Sequence, residues 1–135
     1  MEDPDLERFC EELKRMKEKG KKEFPLVEML KLAEPYGPRF QKAMKALAEG
    51  SVKHYIFKPS GRELWVFVGK EKDYRVIPDS YYCSCKDFYF KVVGGKSRIR
   101  ACYHLIAVKV ARIIGAYDEI VEEDEVYDLV LAESE

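Results

Sequence analysis

The chain has no asparagine, no threonine and a single glutamine, Gln41. Scarce thermolabile amides beside abundant Lys, Glu and Arg form a composition that high temperature favours, because ion pairs lose less to desolvation as water warms. A dominant charge is also missing. With 24 basic and 25 acidic residues the formal net charge is −1 over 135 residues, which excludes a globally basic nucleic-acid coat. No apolar run is long enough for a membrane span, since Lys or Glu interrupts each one. The start is acidic (Glu2, Asp3, Asp5) rather than basic and then apolar, so no signal peptide is expected and the protein should stay inside the cell. What is present is 47% hydrophobic residues, enough for a packed core and incompatible with disorder of the whole chain.

Histidine is scarce as well, with two residues, yet one of them sits beside a cysteine cluster. Cys83 and Cys85 are followed, after sixteen residues, by Cys102 and His104, a C-x-C…C-x-H pattern. In a reducing compartment such a cluster points to a metal rather than to disulfides. On a strand, Cys83 and Cys85 project to one face. Inside a helix Cys102 and His104 would lie about 200° apart, so they converge only if Cys102 is at or just before the helix start. Three thiolates and an imidazole complete a tetrahedron around one structural Zn2+, and the resulting negative charge suits a helix N-terminus. A redox dithiol is disfavoured, because the spacing is C-x-C and no βαβ pattern surrounds it. Cys10 shares a helical stripe with Leu6, Phe9 and Leu13 and reads as a core residue.

Periodicity divides the chain into three parts. Residues 1–50 form a helical N-terminal region, with helices at 5–21, from Pro25 to 33, and 39–48, and a break over Pro35–Pro38. Residues 51–116 hold β-hairpins and the metal module, with strands at 52–58 and 63–70 joined by Pro59-Ser60-Gly61-Arg62, two short strands at 74–77 and 80–85, and a helix at 103–115. His54 in the first strand reads as a surface residue rather than a ligand. Residues 117–135 carry nine acids and no base, with Ile120, Val126, Leu129 and Val130 as an apolar stripe, and read as an acidic C-terminal helix. The fold class expected is α+β: N-terminal helices, a small antiparallel sheet, a zinc-bound finger of strands followed by a helix, and a C-terminal helix.

Tyr82-Cys83-Ser84-Cys85, then Phe88 and Phe90, a basic loop, and Cys102-Tyr103-His104-Leu105-Ile106-Ala107-Val108 resemble the SWIM-type zinc finger. Within that group the chain is similar to the small SWIM-domain proteins of the Shu recombination complex, over roughly residues 50–132, and an archaeal member would suit the composition. The first helix lies outside the resemblance. What it implies is zinc on Cys83, Cys85, Cys102 and His104 and a non-enzymatic adaptor in DNA repair by homologous recombination. Such an adaptor pairs with a RecA-family recombinase paralogue and assists filament assembly on single-stranded DNA. The implied location is the cytoplasm of a prokaryote, or the nucleus in eukaryotic relatives.

The residues themselves leave two functions open. Helix 103–115 is apolar nearly all round, and the tail has an apolar stripe, so both either complete the core or meet a protein partner or a second copy in a homodimer. Alternatively, the segment 83–112 binds a single strand directly. It carries seven bases (Lys86, Lys91, Lys96, Arg98, Arg100, Lys109 and Arg112) against one acid, Asp87, with Tyr81, Tyr89 and Tyr103 available for stacking. The opposing reading has those bases neutralising the metal centre and the acidic tail. Catalysis is disfavoured: there is no phosphate loop and no Ser-His-Asp set.

Overall fold

The computed structural model describes residues 2–88 and 99–135. Three helices come first: α1 (Pro4–Glu18), α2 (Leu26–Tyr36) and α3 (Pro38–Ala48). Asp3 starts α1, its carboxylate accepting from the amides of Asp5 and Leu6. The expected break over Pro35–Pro38 narrows to Gly37: Pro35 is accommodated in the last turn of α2, and Gly37 (φ 53°) turns the chain into α3.

The sheet follows, with strands β1 (Val52–Lys58), β2 (Glu63–Val68), β3 (Asp73–Ile77) and β4 (Tyr82–Cys83). These pair as antiparallel neighbours, as the alternating pattern anticipates. Gly69 closes the β2–β3 turn, where a Cβ would lie 2.4 Å from the carbonyl oxygen of Lys72. A 3-10 turn, Pro78–Ser80, separates β3 from β4. Helix α4 (Tyr103–Ile114) then leads to β5 (Asp118–Glu123), a second 3-10 turn (Asp124–Val126) and α5 (Tyr127–Glu133).

The tail therefore differs from the expected single helix over 117–135. Its first part is a strand that pairs parallel to β1, Lys53 opposite Asp118 and Lys58 opposite Glu123, and makes the sheet mixed, in the order β4-β3-β2-β1-β5. The reason is tertiary: the edge of β1 needs a partner, Ile120 and Val121 suit a strand, and Lys53 Nζ meets Asp118 at 3.2 Å.

The two faces of the sheet bury different clusters. Val52, Phe67 and Val76 face α4, whose Leu105, Ile106, Val108 and Val110 are buried, with α1 and α3 packed outside. Phe57, Leu64 and Val66 on the other face meet Tyr127, Val130 and Leu131 of the α5 region. Thus α4 completes the core of this chain. Cys10 lies in that core, where burial pushes its thiol up to about 12. Among the described residues no helix is long and apolar enough to cross a membrane.

Candidate metal centre

Strand β4, the turn after it and the start of α4 deliver the cluster. Cys83 ends β4, and Cys85 follows two residues on, its sulfur accepting from the amide of Phe88 at 3.2 Å. Cys102 is the N-cap of α4 in extended backbone (φ −82°, ψ 171°), and His104 lies in the first turn. The constraint at Cys102 is thus met as the spacing requires. Ser84 points away and ties the turn to β3: its hydroxyl accepts from the Arg75 amide and donates to the Ser134 carbonyl, both at 3.0 Å. The buried Ser134 carbonyl also accepts from the Arg75 amide at 2.7 Å. On the other side, Tyr36 donates its hydroxyl to Asp3, and the Arg100 guanidinium donates to the Glu2 carbonyl at 2.8 Å, two residues before Cys102.

The ligand atoms of Cys83, Cys85, Cys102 and His104 all lie within 4.8 Å of one another, and all four residues are buried. No disulfide joins them. The Nδ1 of His104 stands 3.8 Å from the sulfurs of both Cys83 and Cys102. A tetrahedral zinc with ordinary Zn–S and Zn–N bonds separates S and N by about 3.6 Å, so this donor set fits the ion. The imidazole is boxed by rings, with Tyr74 stacked at 4.5 Å and Phe67 edge-on at 4.5 Å. Its Nε2 is buried without a hydrogen-bond partner, so Nδ1 is the atom turned to the sulfurs.

Three sulfurs so close cannot ionise independently. Hydrogen bonds from Cys102 and Cys83 hold the Cys85 thiol well below its ordinary range, whereas burial and the neighbouring thiols push Cys102 well above it. A bound zinc supplies the charge that keeps all three as thiolates and closes the coordination sphere. Arg39 adds to this. Its guanidinium grips Asp87 at 3.0 and 3.2 Å, and Asp87 first and the Cys102 sulfur last hold its charge. Neither Arg39 nor the aromatic box is legible from ligand spacing; the alternation of Phe67 and Tyr74 on paired strands is the one available signal.

No family model matches the chain. An uncharacterized protein of Archaeoglobus fulgidus is 35% identical over 98 residues, covering 73% of this chain and 74% of its own. Zinc finger SWIM domain-containing protein 7 of Homo sapiens is 32% identical over 80 residues, covering 58% of this chain and 56% of its own. Its Mus musculus counterpart is 30% identical over 81 residues, covering 58% and 53%. The chain belongs to the SWIM-type zinc finger proteins. The matched stretch spans about half the length of the two mammalian relatives.

In this SWIM protein those candidate nucleic-acid residues that are described do not form one open patch. Lys91, Lys96, Arg98, Tyr89 and Phe90 lie outside the described residues. Lys86 is exposed. Lys109, by contrast, is 4% exposed, its ammonium 2.9 Å from Glu7 and 4.6 Å over the Tyr81 ring. Arg112 is paired with Asp79 at 2.8 Å. Tyr81 is buried, with φ 51° and its hydroxyl donated to Glu7, and so cannot stack on a base. The expectation for Lys109 and Tyr81 is corrected: through Glu7 they fasten α1 to α4 and to the turn before β4.

His54 is corrected too. It is buried rather than superficial, stacked on Trp65 at 4.1 Å, with Nε2 2.7 Å from Glu63. It is not part of the metal cluster.

Proposed function

We propose that this SWIM protein is a non-enzymatic adaptor built around one structural Zn2+ held by Cys83, Cys85, Cys102 and His104. The observation that carries this reading is the burial of four converging donors, which leaves no open coordination position for a substrate. In keeping with the resemblance to the small SWIM-domain proteins of the Shu complex, its partner is a RecA-family recombinase paralogue and its process homologous recombination and DNA repair. A partner surface is supported by α2, where Leu26 and Leu30 are 71% and 73% exposed. They line an apolar groove of about 660 Å³ with Met29, Ala33 and Phe40. In this reading the single strand is held mainly by the paralogue, because Lys109 and Arg112 are engaged within the chain.

Co-expression with the RecA-family paralogue of the same host, followed by size-exclusion chromatography, tests the reading. Co-elution of the two chains with one zinc per SWIM protein is expected, and Leu30→Glu should abolish co-elution without loss of metal. A clean monomer beside the free paralogue would overturn the adaptor assignment.

A further inference from the structure

The strand β5 ends the sheet: β1 occupies one side, and among the described residues no strand pairs with the other. An open edge is a row of unpaired N–H and C=O groups, and proteins usually blunt it with proline, charged side chains or a covering segment. Residues 118–123, Asp-Glu-Ile-Val-Glu-Glu, have no proline, and their charges are all acidic, which guards the edge against a like edge but not against a basic strand. The strand is also fastened at both ends. Lys53 grips Asp118 at 3.2 Å, while Asp124 accepts from the Ser60 amide at 3.0 Å and from its hydroxyl at 2.6 Å. A tethered edge presents its hydrogen-bonding row with little ordering left to be done on binding.

The side chains on one face of this edge define what fits beside it. Glu119, Val121 and Glu123 alternate toward that face, all three are exposed, and Val121 is 58% exposed next to the half-buried Ile56 opposite it. The buried His54 turns its unpartnered Nδ1 toward Glu119, 3.8 Å away, and fixes the phase of this row. A second copy of the chain added here would set carboxylate against carboxylate, which is unfavourable across a strand pair. A basic residue opposite each glutamate and an apolar one between them is favourable.

We propose that the outer edge of β5 is a docking site for an extended segment of another protein, added as a sixth strand, with the pattern basic-x-apolar-x-basic. The bases meet Glu119 and Glu123, and the apolar residue covers Val121 and Ile56. The contact uses no residue of α2 or α3 and stands independently of any recombinase partner.

The test uses the zinc-loaded full chain and a fluorescein-labelled peptide with a central Lys-Ser-Val-Ser-Lys sequence. Anisotropy should show binding that weakens with salt. Glu119→Gln together with Glu123→Gln should weaken it about tenfold, with zinc content and melting temperature unchanged. Val121→Glu should weaken it by a similar factor. Hydrogen exchange of the amides in 118–123 should slow with peptide, and N-methylation of alternate peptide amides, in one of its two phases, should abolish binding. Absence of binding at low salt, affinity indifferent to the two Gln substitutions, or binding without slowed exchange in 118–123 would each overturn the proposal. Concentration-dependent protection of the same amides without peptide would assign the edge to a second copy and overturn it as well.

Discussion

At the scale of single residues, the metal ligands and the Glu7 pair hold the fold by different means. Replacing Cys85 or His104 by Ala removes a donor from a buried cluster and leaves the remaining thiols without the charge that orders them. Loss of bound zinc and a destabilisation above about 4 kcal/mol are expected, measured by metal analysis and thermal melting; an unchanged melting temperature would remove that residue from the ligand set. For Glu7, burial alone pushes the carboxyl up, but the hydrogen bonds from Tyr81 and Lys109 and the charges of Lys109 and Arg112 win, holding it below its ordinary 4.5. A depressed folded value means the contribution is complete above pH 4.5 and disappears as pH falls through the lower, folded value. Glu7→Gln should therefore be less stable than the parent at pH 7, and the gap should narrow below pH 4.5. Denaturant melts of both across that range check the sign. The buried Cys10 gives a further reading: iodoacetamide at pH 8 should leave it unmodified in the zinc-loaded protein, because its thiol is held near 12.

At the scale of elements, local chemistry and long-range pairing separate what could be read in the chain from what could not. The β1–β2 hairpin was legible because alternation and the Pro59-Ser60-Gly61-Arg62 turn are local. The start of α4 at Cys102 was legible because two ligands two residues apart admit one backbone arrangement. The strand β5 was not, since its acidic stretch becomes a strand only by pairing with β1, some 65 residues earlier. Lys109 looked like part of a basic patch for the same reason: its partner Glu7 lies on α1, at the far end of the sequence. The burial of His54 likewise depends on Trp65 and Tyr117 from two other segments. Gly69 belongs to this scale as well. Gly69→Ala forces a Cβ against the Lys72 carbonyl at 2.4 Å, so the β2–β3 turn must shift. A loss of about 1–3 kcal/mol is expected, with hydrogen exchange rising in β3 more than in α1; an unchanged melting temperature would contradict the tightness of that turn.

At the scale of the molecule, the near-zero net charge conceals a separation. The sheet ends in an acidic edge, while many of the bases whose partners are described serve internal contacts: Lys109 with Glu7, Arg112 with Asp79, Arg39 with Asp87 and Lys53 with Asp118. The four ligands come from β4, the turn after it and the start of α4, so a zinc held by them would link the sheet to the helical layer across sixteen intervening residues. Removing it with a strong chelator should lower the melting temperature and raise hydrogen exchange in α4 and β4 together; a fold indifferent to the chelator would detach the metal from the architecture.

The hydrogen bonds of Ser134 and Arg100 extend that link to both ends of the chain. The C-terminal end is tied to the residue between Cys83 and Cys85, and the N-terminal end to the residue two before Cys102. A disturbance of the metal ligands thus reaches Glu2 and Ser134 through single hydrogen bonds, and exchange of the Arg75 amide, which donates to both Ser84 and Ser134, becomes a reporter of the state of the metal centre.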